Sequence, residues 1–424
     1  MGDRHRITRR ARVPFLLATA LLAVPVLAAT AAPAPLAAAG RPRAAAAPPA
    51  LVLPAPTGRY PVGTTWLHLV DDARPDPWRP ELRRELMVSI WYPALAADGP
   101  PAPYTTAAVS ARIVEAEGLP LAADVLTTVR TNARRDVPVR PTPGGWPLVV
   151  LSPGFSLSRE SLTGLAEELA SHGYVVAGVD HPYEARGVEF PDGRVATCLA
   201  CDQWGPGVAA RVVRGRAADV SFLLDRLLGP AAGPARPARG ADAGAGSAAA
   251  GARFRPVWAG ARFVDAGRIG MAGHSIGGAS AAETMVTDRR VDAGANLDGT
   301  FFTELPAGAV DRPFLMIGSV EHEDPAEDPS WSRTWANLAG WKRWLQVPDA
   351  GHMSFTDRPV LGAQLGLDPG AIPADRQLLI TREYVRALFD RQLRGRPGPL
   401  LDGPSAAYPE VRFRTPAPGE GAAS

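Results

Sequence analysis

Short apolar runs that alternate with segments of helical spacing constrain the fold of this chain more than any other sequence feature. The runs lie at residues 86–92, 148–152, 174–179, 268–272, 293–297, 313–317 and 344–347. Strands that are buried on both faces are apolar along their whole length. Helical spacing of apolar residues within 162–169, 213–227 and 376–393 predicts intervening helices. The alternation predicts an α/β fold in which helices cover both faces of a mostly parallel central sheet.

The composition supports one large folded domain, predicted over residues 57–395. The chain has 424 residues, of which 46% are hydrophobic, and a formal net charge of +2 from scattered charges. Nucleic acid is therefore not an expected partner. The segment 229–253 is rich in Ala, Gly and Pro and is predicted to be a flexible insertion. A disordered Ala/Pro-rich leader (40–56) and a loosely attached Pro/Gly-rich tail (396–424) are predicted around the domain.

The first 39 residues have the pattern of a secretory signal peptide. Arginines precede an apolar stretch over 13–29, and small residues follow at two candidate cleavage sites. The alternative is a membrane anchor, although the stretch contains Pro25 and is near the minimum spanning length. Paired arginines at 9 and 10 suggest twin-arginine export. We expect a secreted protein.

Residues 273–277 read Gly-His-Ser-Ile-Gly, between a strand-like run and a segment of small residues. In this context the pattern predicts a strained strand-to-helix turn that exposes Ser275 as a nucleophile. The alternative is an ordinary tight turn capped by serine. His274 is next to the serine but is expected to point away and pack.

Two of the seven histidines, His322 and His352, follow Ser275 in the chain. In α/β enzymes with such a serine turn, the serine, an acid and a histidine base form a catalytic triad, and the acid and then the base follow the serine in the chain. His352 lies in a glycine-flanked loop just after the last strand-like run, and it is the predicted base. His322 lies within an acidic run and is expected to sit in a solvated loop.

The triad acid has two candidates. Asp298 ends an apolar run in a neutral segment, as a buried carboxylate would. Asp324 crowds with Glu321 and Glu323 after the next run, as exposed charges do. Asp298 is favoured, and Asp324 remains the alternative.

Two backbone amides are predicted to form the oxyanion hole. One is the N–H of Ile276, directly after the nucleophile. The other is the N–H of Phe155, in the loop after the run 148–152, where Gly154 permits close approach of the backbone. An ordinary strand-to-helix turn is the alternative for this loop.

The two cysteines and the clustered tryptophans each allow two interpretations. Cys198 and Cys201 are too few for a thiolate metal site, and in an exported protein a local disulfide is favoured over a redox dithiol. The tryptophans could contact a membrane surface or pack in the core, and core packing is favoured. These are Trp331, Trp335, Trp341 and Trp344.

From about residue 57 to 395 the chain resembles the plasma-type platelet-activating factor acetylhydrolase family. The resemblance rests on Leu-Ser-Pro-Gly-Phe (151–155), Gly-His-Ser-Ile-Gly-Gly-Ala (273–279), Asn-Leu-Asp-Gly (296–299) and Gly-His-Met-Ser-Phe (351–355). It implies an α/β-hydrolase with Ser275, Asp298 and His352 as the triad and Phe155 and Ile276 as oxyanion donors. It also implies hydrolysis of short or oxidised sn-2 acyl esters of phospholipids, without a metal or other cofactor.

This chain departs from the mammalian members of the family, because it has Pro153 where they have histidine before the glycine. The expected partner is a lipid or small ester, with transient contact to a lipid surface and no obligate protein partner. A cutinase, polyester hydrolase or general lipase, with Asp324 as the acid, is a second enzymatic interpretation. A secreted binding protein on the same fold, without turnover, is a third.

Overall fold

The computed structural model describes residues 51–231, 254–322 and 328–415, and within them an eleven-stranded sheet forms the centre of the fold. The strands are β1 (Val62–Pro75), β2 (Arg83–Pro93), β3 (Pro101–Pro103), β4 (Arg130–Arg135), β5 (Trp146–Ser152), β6 (Val175–Asp180), β7 (Val188–Glu189), β8 (Val195–Ala196), β9 (Val264–His274), β10 (Ala293–Leu297), β11 (Phe314–Gly318), β12 (Lys342–Gln346) and β13 (Arg412–Arg414). The strand order in the sheet is β13-β12-β11-β10-β9-β5-β6-β2-β1-β4-β3, and β7 and β8 form a separate hairpin.

The six central strands, from β12 to β6, pair in parallel. The edges are mixed, because β2 pairs antiparallel with β6 and with β1, and β13 pairs antiparallel with β12. All seven predicted apolar runs fall on strands of this sheet, which confirms the predicted α/β class with a mostly parallel sheet. Because the central strands are parallel, their carboxyl ends meet at one edge, and the loops there can share a site.

Seven α-helices connect the strands in the described part of the chain. They are α1 (Ala107–Ala116), α2 (Thr163–Ser171), α3 (Pro206–Leu228), α4 (Ile276–Thr287), α5 (Pro329–Asn337), α6 (Arg358–Gln364) and α7 (Ala374–Arg394). Apolar residues of α3 and α4 pack on one face of the sheet, and those of α2 and α7 pack on the other. None of these described helices has the length and hydropathy needed to span a bilayer.

The folded part extends beyond both boundaries predicted from the sequence. Leu51 and Leu53 are fully buried, and the Leu53 amide donates to the Arg130 carbonyl at 3.0 Å, so a start at residue 57 is too late. In the predicted tail, Leu401 and Val411 are buried and β13 extends the sheet. Composition suggested loose segments there, but a few leucines and valines anchor them. Most of the predicted insertion (232–253), the signal peptide (1–39) and the end of the tail (416–424) lie outside the described residues.

Candidate active site

A sharp turn between β9 and α4 presents the serine that the sequence singles out. Ser275 is the residue between the two elements and has φ 55° and ψ −128°, a region that non-glycine residues rarely occupy. A Cβ added to Gly273 would lie 2.2 Å from the backbone of Gly277, and one added to Gly277 would lie 2.1 Å from the Ser152 oxygen. Only glycine fits at either position, so the motif is explained by the close approach of β9, α4 and β5.

The structure brings Ser275, His352 and Asp298 together at the carboxyl ends of the parallel strands. The Ser275 Oγ lies 3.0 Å from the His352 Nε2. The His352 Nδ1 lies 2.7 Å from the Asp298 Oδ2, which fixes the ring from its other side. His352 begins a 3₁₀ turn after β12 and its side chain is 35% exposed, whereas Asp298 follows β10 and is fully buried.

Asp298 is held as a carboxylate by the groups around it. Burial alone would raise the pKa of Asp298, but the hydrogen bond from His352 and the charge of His322 outweigh burial and lower that pKa. The Ser319 amide also donates to the Asp298 Oδ1 at 2.5 Å. The alternative acid, Asp324, lies outside the described residues. Within the described residues, Asp298 is the carboxylate that binds His352.

The two backbone amides that the sequence proposes as oxyanion donors belong to Ile276 and Phe155. Ile276 is the first residue of α4, where the helix dipole favours negative charge. Phe155 lies in the loop after β5, and a Cβ on Gly154 would come within 2.7 Å of the His274 Nδ1, so this loop lies against the elbow. In the described part of the protein, neither the Phe155 nor the Ile276 amide donates to another protein atom. Both N–H groups are available to a substrate oxygen.

A buried ion pair, which the sequence analysis missed, supports the loop that carries Phe155. Arg216 on α3 donates from Nη1 to the Pro153 carbonyl at 2.5 Å and from Nε to the Glu184 carboxylate at 2.7 Å. The Glu184 carbonyl in turn accepts the Ser156 amide at 2.9 Å. Arg216 and Glu184 are both almost fully buried. The loop is therefore fixed on both sides of Phe155.

A second group of buried charges continues from this pair toward β2. Arg84 donates to Asp219 and Asp76, and the Asp219 Oδ2 lies 2.8 Å from the His181 Nδ1. The His181 Nε2 lies 3.0 Å from the Ser152 Oγ at the end of β5. Burial alone would raise the pKa of Asp219, but the charge of Arg84 outweighs it and lowers that pKa. The cluster ties β2, β5 and α3 together.

The other two histidines near the triad occupy positions different from those expected. His274 does not merely pack, because its Nε2 lies 2.8 Å from the His352 carbonyl and its ring lies 4.7 Å from the His352 ring. Burial, and then the charge of His352, lowers the pKa of His274 to about 3, so the ring is neutral and donates from Nε2. His322 was expected in a solvated loop; that was wrong, since it is only 5% exposed. Stacking on Trp331 buries it despite its acidic neighbours.

A disulfide and a group of aromatic rings flank the oxyanion loop. Cys198 and Cys201 are joined in a disulfide, as the sequence analysis favoured. The ring of Trp204, which is 47% exposed, lies 4.1 Å from that of Phe155 and 6.0 Å from that of Phe302. The clustered tryptophans contribute to the core as expected, with Trp331 and Trp344 almost fully buried.

The described residues contain one group of acidic and histidine side chains close enough to share an ion. Atoms of Asp298, Glu321 and His352 lie within 4.8 Å of one another. Asp298 and His352 already bind each other, however, and Glu321 is exposed. We therefore assign no metal ligand in this group.

The fold and the site together define a serine hydrolase of the α/β-hydrolase type. The sequence family described as platelet-activating factor acetylhydrolase, isoform II, matches residues 50–187. A solved structure, the ferulic acid esterase from Streptomyces cinnamoneus, is 47% identical to this chain and superposes with a TM-score of 0.71. The match covers 86% of this chain and 100% of the esterase chain. A probable 1-alkyl-2-acetylglycerophosphocholine esterase of Arthroderma benhamiae is 29% identical over 87% of this chain and 95% of its own length.

The resemblance to the plasma-type platelet-activating factor acetylhydrolase family that the sequence predicts is confirmed by the match over residues 50–187 and by the Arthroderma benhamiae relative. The chain is a carboxylic ester hydrolase.

Proposed function

We propose that the protein cleaves esters through an acyl-enzyme formed on Ser275, with His352 as the base and Asp298 as the acid. One observation carries the proposal: Ser275, His352 and Asp298 form an unbroken series of contacts at 3.0 and 2.7 Å. A hydroxyl is a weak nucleophile unless an adjacent base can take its proton. Here the base is oriented by a buried carboxylate that stabilises the imidazolium as it forms.

The reaction follows from this geometry. His352 accepts the Ser275 proton while the serine oxygen attacks the ester carbonyl, and the amides of Phe155 and Ile276 donate to the oxygen that becomes negative. The imidazolium then protonates the leaving alcohol as the ester C–O bond breaks. Water, deprotonated by the same imidazole, attacks the acyl-enzyme and releases the acid.

Replacing the two candidate acids one at a time tests the assignment. We expect Asp298→Asn to lower kcat by about 10⁴-fold, whereas Asp324→Asn should retain normal turnover. Labelling with a fluorophosphonate should modify wild type at Ser275 and leave Ser275→Ala unmodified. Equal losses in the two aspartate variants, or loss in Asp324→Asn alone, would refute Asp298 as the acid. An unlabelled, folded wild type would favour a binding protein without turnover.

For the substrate, we propose phospholipids with short or oxidised sn-2 acyl chains. The match of residues 50–187 to the platelet-activating factor acetylhydrolase family supports this proposal. So does the Arthroderma benhamiae relative, which is named a probable 1-alkyl-2-acetylglycerophosphocholine esterase. The expected result is higher kcat/KM on a 2-acetyl than on a long-chain phospholipid. Equal turnover of both would contradict the proposed chain-length preference.

Esters of aromatic acids are a second candidate, favoured by the rings beside the oxyanion loop. Trp204 and Phe302 offer faces on which an aromatic acyl group could stack next to Phe155. The Streptomyces cinnamoneus relative is named a ferulic acid esterase. Under this candidate, Trp204→Ala should raise KM for methyl ferulate by up to about tenfold, the value of one aromatic stacking contact, and leave turnover of an acetyl ester unchanged. The distant, exposed Trp66→Ala is the matched control. Absence of ferulate turnover in wild type would exclude the candidate.

We also propose that the protein is exported after removal of residues 1–39. The signal-like sequence supports this, and so does the disulfide between Cys198 and Cys201, since such bonds persist in oxidising compartments. When the full chain is expressed, the protein should be recovered from the culture medium. Mass spectrometry should show that its first residue directly follows one of the two predicted cleavage sites. Retention of the intact N-terminus in the membrane fraction would instead indicate an anchor.

A further inference from the structure

A second histidine lies behind the triad acid, on the side opposite His352. His322 ends a 3₁₀ turn after β11, and its ring stacks on Trp331 at 4.5 Å with an interplanar angle of 10°. Its Nδ1 lies 2.7 Å from the Asp328 Oδ2, and its Nε2 lies 3.6 Å from the Asp298 Oδ1. The imidazole is therefore sandwiched between two carboxylates in the interior of the protein.

The two contacts determine which protonation state fits. A neutral imidazole carries one N–H, and the short Nδ1 contact requires that proton for Asp328, because a carboxylate only accepts. The bare Nε2 would then face the negative Asp298 oxygen, with no hydrogen-bonding partner elsewhere among the described residues. A proton on Nε2 turns this repulsion into attraction. The geometry thus favours an imidazolium.

The surroundings support the charged form. Burial alone would lower the pKa of His322, but the hydrogen bond to Asp328 and the charge of Asp298 outweigh it and raise that pKa. The charged groups that face the ring are Asp328 at the start of α5 and Asp298 after β10. Glu321, on the same turn as His322, has its carboxylate within 4.8 Å of both Asp298 and His352. His352 lies beyond Asp298, and the stacked Trp331 from α5 is neutral.

We propose that His322 is a positioning residue, which acts as a buried imidazolium on the triad acid. Its charge keeps Asp298 ionised and offsets part of the negative charge that His352 experiences. A positive charge behind the acid opposes protonation of the base, so turnover should persist to a lower pH than Asp298 alone would allow. This inference rests on the proposed triad of Ser275, His352 and Asp298.

The pH dependence of kcat/KM tests this role, because its acidic limb reports protonation of the base in the free enzyme. Removing a cation makes the imidazolium of His352 more favourable, so the limb must move to higher pH. For charges several ångströms apart, the expected shift in His322→Gln is about one pH unit. A role in packing alone would lower kcat/KM equally at every pH. His68→Gln, a partly exposed histidine paired with Glu85, is the control and should leave the limb in place.

Asp328→Asn is a second variant, in case His322→Gln does not fold. It keeps the ring in place but removes a carboxylate that holds its proton, so the limb should move in the same direction by a smaller amount. In wild type labelled with ¹⁵N-histidine, both ring nitrogens of His322 should carry protons at pH 7.

The possible outcomes separate this inference from the proposed triad. A wild-type ring that is singly protonated at pH 7, or limbs that coincide with wild type in folded His322→Gln and Asp328→Asn, would overturn the role of His322. Failure of the fluorophosphonate to label Ser275 would instead overturn the triad itself.

Discussion

Replacing Arg216 with methionine should impair catalysis without altering any group that touches the substrate. Arg216 donates to the Pro153 carbonyl, and its partner Glu184 accepts the Ser156 amide, so the pair anchors the loop on both sides of Phe155. Methionine fills much of the same volume but cannot donate. The change removes the anchor and leaves the Phe155 amide in a looser loop.

The size of the effect follows from what each lost contact does. Deleting an oxyanion donor outright costs about 10²–10³ in kcat, and loosening one should cost less, about 10- to 100-fold. KM should change little, because this donor acts mainly on the charge of the transition state. Loss of its Arg216 partner leaves the buried Glu184 carboxylate with the Trp78 indole at 3.1 Å and Arg84 at 4.0 Å, and this should destabilise the fold by up to about 3–5 kcal/mol. Adding Glu184→Gln should recover part of that stability and none of the kcat.

Steady-state kinetics on one short ester, together with thermal unfolding, separates the two effects. Arg382→Met is the matched control, because Arg382 is a buried arginine of α7 that donates to the Gly164, Ala55 and Pro54 carbonyls and not to the oxyanion loop. It should lose stability while keeping kcat within about threefold. If folded Arg216→Met has wild-type kcat, or if Arg382→Met loses as much kcat, Arg216 does not act by anchoring the oxyanion loop.

Three further predictions concern other parts of the fold. Gly277→Ala should destabilise the protein by about 3 kcal/mol and abolish turnover, because the added carbon would lie 2.1 Å from the backbone oxygen of Ser152 in β5. The loss of stability should appear as a lower melting temperature. Burial raises the pKa of Asp357 to about 8, against an opposing hydrogen bond from the Gly164 amide. The folded state therefore keeps a proton on Asp357 that the unfolded chain releases near pH 4. The free energy of unfolding, measured by urea titration, should fall as the pH rises from about 4 to 8, and Asp357→Asn should reduce this dependence on pH. Replacing Cys198 and Cys201 by serine should raise KM for methyl ferulate more than for an acetyl ester, since Trp204 lies three residues after Cys201. Equal changes for both esters would contradict this.

The parallel core of the fold could be predicted because its strands are buried on both faces. The run 293–297 coincides with β10, where every residue is buried. In contrast, β1 was not predicted, because exposed residues interrupt it from Trp66 onward and it lies near the edge of the sheet. Leu51 and Leu53 could not be predicted either, since their burial depends on contacts with β4 and α6, which are distant in sequence.

The residues of the proposed triad were predictable, because local geometry restricts them. The turn at Ser275 requires glycines at fixed offsets, and the acid and base follow at the ends of apolar runs. The residues that support the triad and the oxyanion loop have no comparable signature in the local sequence. Arg216 and Glu184 are 32 positions apart and meet only after α3 packs on the sheet. His322 was misjudged from its acidic neighbours, because nothing local indicates the ring of Trp331 that covers it.

The two sides of the catalytic serine are supported by charges that respond differently to pH. On the oxyanion side the cation is Arg216, and an arginine in a protein does not lose its proton. On the acid side the proposed cation is His322, whose residue type titrates nearest to neutrality. The oxyanion hole should therefore keep its geometry throughout the pH range in which the protein is folded. The pH dependence of turnover should originate in the line of groups that runs from Asp328 through His322 and Asp298 to His352.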